Sequence, residues 1–356
     1  MIDFTTLYPV NPVLTALVCT TAYGQELIGR KLLPRIKVAN SAYKGQIVRK
    51  SHTTRMGGPL NTLRAPGAAM ARMAGSDPAL VSYEARIYSL ACDPIAPEHI
   101  ARNQLPIDIL GDEMESVTNK VDIDEEVRIS AKLFGTSIWT AEPTLSSISI
   151  SGGQWSTIAT ARPRGDLAVI REAYRKQAHG RNLDSCVIGP LGFNAFLQSL
   201  EARGVHLTTS GAAYIGGTLG YDAGKAMIAQ DLGISPERVF VGNGRRNTAA
   251  MNQAHSEADI WGDFLWVGNL LGGSGQQAVG SNVRMSGDAV AMVGIDEETG
   301  FLNTMGSAPA GALRSLMAGY EQDPATKGGG LSGWVQQYAD EVVLAADLGY
   351  LVQDLV

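Results

Sequence analysis

Residues 105–155 read LPIDILGDEMESVTNKVDIDEEVRISAKLFGTSIWTAEPTLSSISISGGQW, and the rest of the chain is organised around them. Leu110, Met114, Val117 and Val121, then Val127, Ala131 and Phe134, recur three or four residues apart, the period of a helix that buries one face. Asp112, Glu113, Glu115, Asp122, Asp124, Glu125 and Glu126 fill other positions, so the expectation is one long helix with a strongly negative outer face. A second reading starts a fresh helix at the acidic cluster of residues 122–126, because carboxylates favour a first turn. After Gly135 the alternation Ser147, Ile148, Ser149, Ile150, Ser151 has a period of two and predicts a half-exposed strand, followed by a Gly152, Gly153, Gln154, Trp155 turn.

A chain of 356 residues can bury roughly three quarters of its unfolded surface and has room for more than one lobe. Hydrophobic residues reach 45% and charged residues only 18%, which excludes a disordered chain and hints at surface hidden in an assembly. Cys19, Cys92 and Cys186 are far apart and odd in number, arguing against a disulfide framework and for a reducing compartment. No window approaches 18 uncharged apolar residues, so a soluble chain made in the cytosol, with no membrane partner, is expected.

The formal net charge of −6 hides an asymmetry. Residues 27–76 contain no Asp or Glu but carry Arg30, Lys31, Arg35, Lys37, Lys44, Arg49, Lys50, Arg55, Arg64 and Arg72. Such a window is either a solvated basic loop or one half of a contact with a negative partner.

In chain order, residues 1–29 show little periodicity and read as an arm that orders against something else. Residues 30–74, with Gly45, Gly57, Gly58, Pro59 and Pro66 and short extended pieces at 36–38 and 46–48, predict a long two-stranded excursion. Residues 81–88 alternate like a strand returning to a sheet. Beyond Trp155, helices are expected at 166–177, 193–200 and 223–232, the last closed by Gly233, with strands at 186–188 and 238–241. Residues 156–282 therefore read as an α/β lobe, and the tail returns to strands at 289–295 and 341–351.

No catalytic constellation stands out. Gly242, Asn243, Gly244, Arg245, Arg246 and Asn247 follow a strand but lack the third glycine of a dinucleotide fingerprint, and Gly272, Gly273, Ser274 and Gly275 lack the Lys-Ser/Thr pair of a phosphate loop. The Gly242 stretch is expected to be a surface turn and the Gly272 stretch a mobile loop. Neither Ser210 nor Ser274 lies in a nucleophile elbow, and His52, His99, His179, His206 and His255 show no metal-ligand spacing. No cofactor is expected.

The order of arm, basic excursion, strand, acidic helix, Gly-Gly-Gln-Trp-Ser turn, α/β lobe and returning strands resembles the major capsid proteins of tailed bacteriophages, with the Hong Kong 97-like shell fold. Residues 63–67, 83–90, 124–126, 131–134, 152–156, 259–262 and 347–351 carry the resemblance, which spans most of the chain. It implies an α+β fold with an N-terminal arm (1–29), an extended β-hairpin loop (30–76), a peripheral domain with a long spine helix (77–155), an α/β axial domain (156–282) and returning peripheral strands (283–356). It implies no enzyme. Many copies would self-assemble as hexamers and pentamers into an icosahedral shell in the host cytoplasm and end in the virion capsid. The implied partners are other copies, a separate scaffolding protein or none, a portal, a decoration protein, and double-stranded DNA held non-specifically. The candidate contacts between copies are Lys44, Arg49, Lys50, Arg55 and Arg64 on the loop against Asp112, Glu113, Glu115, Asp122, Glu125 and Glu126 on the helix. An encapsulin-like compartment with the same fold is the nearest alternative, and a nucleotide-binding α/β enzyme is a more distant one.

Overall fold

The computed structural model describes residues 27–32, 35–38, 42–48, 78–84, 86–95, 109–150, 153–158, 160–178, 182–199, 206–207, 213–214, 220–249, 253–270, 290–295, 317–323, 330–343 and 346–356. A single turn, α1 (Gly29–Leu32), precedes strands β1 (Arg35–Val38), β2 (Ala42–Val48), β3 (Pro78–Glu84) and β4 (Arg86–Ala91). The quoted stretch then forms one unbroken helix, α2 (Ile109–Leu133), so the acidic cluster does not break it.

The buried side of α2 follows the expected spacing at Met114, Val117 and Val121 but then rotates. Its second half buries Ile129, Ser130, Leu133 and Phe134, while Ala131, expected inside, is exposed. The helix stops at Gly135, where a Cβ would meet the Ala131 carbonyl oxygen at 2.4 Å and Ile138 Cδ1 at 2.3 Å. The linker beyond it is stapled by the Glu142 carboxylate, which accepts the backbone N–H groups of Ser137 (2.5 Å), Ile138 (2.7 Å) and Trp139 (2.6 Å).

Of the strand expected at 147–151, the described residues 147–150 form none. Residues Leu145–Ile148 form a short helix, α3, and the extended backbone lies just before it. Ala141 and Thr144 bridge to Tyr350 and Gln353, and the Leu145 N–H donates to the Gln353 carbonyl at 2.8 Å. Leu145 is fully buried whereas Ile150 is exposed, so burial of one leucine against the core outweighs a five-residue alternation with little to pack.

Next come α4 (Pro163–Gln177), β5 (Ser185–Ile188), α5 (Pro190–Gln198), the two-residue strands β6 (His206–Leu207) and β7 (Ala213–Tyr214), and α6 (Tyr221–Leu232). Gly233 closes α6 at φ 73°, the left-handed position anticipated for it. Strands β8 (Val239–Val241), β9 (Arg245–Asn247), β10 (Glu257–Asp259), β11 (Leu265–Gly268), β12 (Val290–Ile295), β13 (Met317–Asp323), β14 (Gly330–Val343) and β15 (Gly349–Val352) complete the described elements.

Two sheets organise them. One has the order β1-β12-β14-β13, with β4 also paired to β14. Alternate residues of β14 face α2: a Cβ on Gly333 would meet Met114 Sδ at 2.1 Å, Val335 is fully buried, and Glu341 pairs with Arg128. The other sheet runs β15-β11-β5-β8, antiparallel except for the parallel β5·β8 pair. Its residues share one core with Leu167, Ile170 and Tyr174 of α4, Phe193 and Phe196 of α5, and Ile228 and Leu232 of α6. That stripe of α4 is the one its spacing predicts.

The expected boundaries shift in two places. β2 pairs with β3 rather than with β1, so the two-stranded excursion closes at Glu84, beyond residue 76, and β1 pairs in parallel with β12. The expected strand at 341–351 is two strands in different sheets: β14 ends at Val343, and β15 joins the lobe's sheet. Gly349, the first residue of β15, lies against Trp139, whose ring a Cβ there would meet at 2.2 Å. Residues 1–26, the Gly272 stretch, Ser210, Ser274, Cys19, His52, His99 and His179 lie outside the described residues.

Candidate assembly surface and the carboxylate joint beneath it

The helix α2 carries both the candidate surface and the joint to the lobe. Asp112, Glu113 and Glu115 project from its first two turns and are exposed, as a contact with another copy requires. Asp122, Glu125 and Glu126 are not on that surface: each is no more than 2% exposed, so they do not belong to an external acidic face. The reason is the crossing of α2 over neighbouring elements, which turns the 122–126 region inward and gives Glu126 enough donors to be held there. On the basic side, Lys44 lies in β2 opposite Ser82, and Arg49, Lys50, Arg55 and Arg64 lie outside the described residues.

Glu126 accepts hydrogen bonds from the Ile28 N–H (3.0 Å), the Gly29 N–H (2.7 Å) and Trp261 Nε1 (2.7 Å). Burial pushes its carboxyl above the ordinary value of 4.5, with these three donors acting the other way. One turn on, Ser130 Oγ donates to the Ile260 carbonyl at 2.9 Å. Another turn on, Phe134 meets the edges of Trp261 and Phe264 at ring-centre distances of 5.1 and 5.6 Å. Positions 126, 130 and 134 are thus a stripe of period four that fastens α2 to residues 260–264.

A second cluster fastens α2 to the first sheet. Arg128 donates to Glu341 at 3.1 Å, contacts Asp124, and places its guanidinium 3.6 Å from the centre of the Tyr88 ring on β4. Burial raises Glu341 above 4.5 despite Arg128, and raises the Tyr88 hydroxyl as well. Nothing in the sequence marks these partners, because Arg128 and Glu341 are more than two hundred residues apart.

Both raised carboxyls set a testable pH dependence. Each binds a proton more tightly in the fold than in the unfolded chain, so the ionised form costs stability above the folded-state value. That cost is withdrawn as pH falls toward 4.5. From about pH 7.5 to about pH 5, the urea midpoint of the parent should therefore rise relative to that of Glu126→Gln. A relative fall would mean that the three hydrogen bonds outweigh the burial.

The Gly242 stretch is at the surface through its exposed Asn243, Arg245, Arg246 and Asn247, while Gly242 and Gly244 are buried: a Cβ at Gly242 would meet the Trp261 ring at 2.2 Å. The chain then enters the exposed β9·β10 ribbon, so the helix N-terminus that a pyrophosphate needs does not follow. Cys92 and Cys186 are buried free thiols, and burial pushes the Cys186 thiol far above its usual value. Among the described residues no group of three or more His, Cys, Asp or Glu side chains could hold a metal ion, and no helix is long and apolar enough to cross a membrane.

No protein-family model matches the chain, and no curated sequence matches it significantly. Solved structures do. A phage-related protein from Bordetella bronchiseptica, 17% identical, overlays with a TM-score of 0.61 over 98% of this chain and 98% of its own. The capsid of the cyanophage P-SCSP1u, 13% identical, gives 0.48 over 93% and 89%. The virus-like particle from Pyrococcus furiosus, 8% identical, gives 0.47 over 96% and 98%. With a long helix laid across one sheet, an α/β lobe fastened to its far end, and a superposition over nearly the whole chain, this protein has the Hong Kong 97-like shell fold of tailed-phage major capsid proteins.

Proposed function

We propose that this chain is a major capsid protein whose copies close, as hexamers and pentamers, into an icosahedral shell around double-stranded phage DNA. The fold is the observation that supports this: the chain overlays a phage-related protein with a TM-score of 0.61 over 98% of both chains. The reading assigns the chain no catalytic residue and places it in the virion capsid after assembly in the host cytoplasm. Its domains would be an arm (1–29), a loop (30–76, with its pairing continued by β3), a peripheral domain (77–155 with strands β12 to β14) and an axial domain (156–282 with β15). Its partners would be other copies, a scaffolding protein, a portal and a decoration protein, with DNA held by non-specific contact.

Between copies, Lys44, Arg49, Lys50, Arg55 and Arg64 of one loop would meet Asp112, Glu113 and Glu115 of a neighbour. Each exposed pair contributes only about 0 to 1 kcal/mol, so charge would set register while buried apolar area supplies most of the affinity. Reversing Arg49 and Lys50 to Glu is then expected to impair shell assembly and leave the subunit's thermal transition in place. Normal particles from that variant would rule the contact out.

Negative-stain microscopy and sedimentation of the expressed chain, with and without a candidate scaffold, test the main reading. Closed particles or rings of five and six support it, and nuclease-protected DNA inside particles from infected cells identifies the cargo. A protein cargo would instead mark an encapsulin-like compartment. A monomer or dimer under every condition overturns the shell reading.

A further inference from the structure

We infer that residues 27–32 form a strap whose docking is coupled, through Glu126, to the joint between α2 and the α/β lobe. The inference concerns the subunit alone and holds whether or not the shell reading does.

The strap cannot hold itself. Its helix is four residues long, with Lys31 and Leu32 N–H groups both donating to the Ile28 carbonyl, far below the length at which a helix persists alone in water. What fixes it is external. Ile28 and Leu32 are buried in the core that contains Ile129 and Leu133, and the Ile28 and Gly29 N–H groups end on the Glu126 carboxylate. Gly29 sits so close that a Cβ would lie 2.6 Å from Glu126 Oε2 and 2.7 Å from Ile129 Cδ1. Lys31 remains exposed at its outer edge.

The same carboxylate serves the lobe. Glu126 Oε1 accepts from both Ile28 N–H and Trp261 Nε1, and Trp261 packs on Phe134 and against the Gly242 turn. Three covalently distant segments therefore share one buried side chain. If the strap lifts, Glu126 loses two of its three donors and keeps a buried oxygen without a partner, a cost comparable to a lost charged hydrogen bond. The carboxylate then gains by turning toward water, and in turning it abandons Trp261. By thermodynamic reciprocity, loosening Trp261 must weaken the strap to the same degree.

Hydrogen exchange on the full-length chain, with parent and variants compared in the same assembly state, tests this from both ends. Gly29→Ala crowds the strap without touching the lobe. The expected result is roughly tenfold or faster exchange at Ile28 and Gly29, and also at Ile260, whose N–H donates to the Gly244 carbonyl at 2.9 Å, with α6 unchanged. Faster exchange confined to the strap, or none anywhere, overturns the coupling. If Gly29→Ala also accelerates α6, the reverse variant decides. Trp261→Phe keeps an edge for Phe134 but removes the Nε1 donor, and it should accelerate Ile28 and Gly29 over the α6 background. Unchanged strap exchange in Trp261→Phe overturns the inference.

Discussion

Gly189→Ala is expected to lower the stability of the fold by at least about 4 kcal/mol at 25 °C, read as a large drop in the urea midpoint. Gly189 has φ −70° and ψ 157°, a conformation open to any residue, so its need is for space alone. A Cβ there would fall 1.5 Å from the Gly262 carbonyl oxygen and 2.8 Å from its carbon. Both are backbone atoms with no rotamer to change. Relief requires β5 and the start of α5 to part from residues 261–262, between Trp261 and the β11 pairing. A forced separation at a fully buried site costs at least about 4 kcal/mol, a large share of the 5 to 15 kcal/mol typical of a domain. Gly153→Ala is the matched control, because a Cβ there meets nothing within 4 Å; its urea midpoint should stay within about 0.5 kcal/mol of the parent. Equal stability of the two variants would show that the lobe yields more easily than this packing suggests.

The second large effect is expected at Asp166, on the buried face of α4. Its carboxylate accepts the Ile150 N–H at 2.8 Å and Trp155 Nε1 at 3.0 Å, tying the short irregular segment after α3 to the lobe. Asp166→Ala would leave Trp155 Nε1 unpaired in a buried site and take the partner from the Ile150 N–H at a half-buried one, and should lower stability by about 3 kcal/mol in urea titrations. Asp166→Asn keeps one acceptor and should lose about half as much. If alanine and asparagine cost the same, the carboxylate's hydrogen bonds are not what holds Trp155.

The sequence made some of this legible because the signal was local. The stripe Leu167, Ile170, Tyr174 and the left-handed Gly233 can be read within one or two turns of helix, and both stand as expected. The unbroken α2 was legible for the same reason. Its electrostatics were not: seven acidic residues outside an apolar stripe imply a wet face, yet Asp122, Glu125 and Glu126 are buried, and the partners that hold Glu126, at 28–29 and 261, are announced by no periodicity in α2. The strand misassigned at 147–151 failed for a related reason. Its alternation was genuine, but the partner that selects extended backbone, Tyr350 to Gln353, runs beside 141–144 instead. Within the candidate surface, Asp112, Glu113 and Glu115 keep their exposed positions because nothing in the described structure crosses the first two turns of α2 to cover them.

The placement of β15 has a consequence for how the protein is made. The lobe begins near residue 156, yet its sheet includes 349–352, and Leu355 seals it by accepting from the Trp155 N–H at 2.8 Å and donating to the Asp263 carbonyl at 3.1 Å. During translation, β5, β8 and β11 emerge early and must wait with one edge of β11 uncovered while the ribosome makes β12, β13 and β14 of the first sheet. For that interval the nascent lobe is a sticky edge beside other nascent lobes on the same message, and such pairings across long sequence separations close slowly. Synthesis and closure are thus tied to a late event: the lobe's sheet gains its β11 edge partner only when β15 arrives.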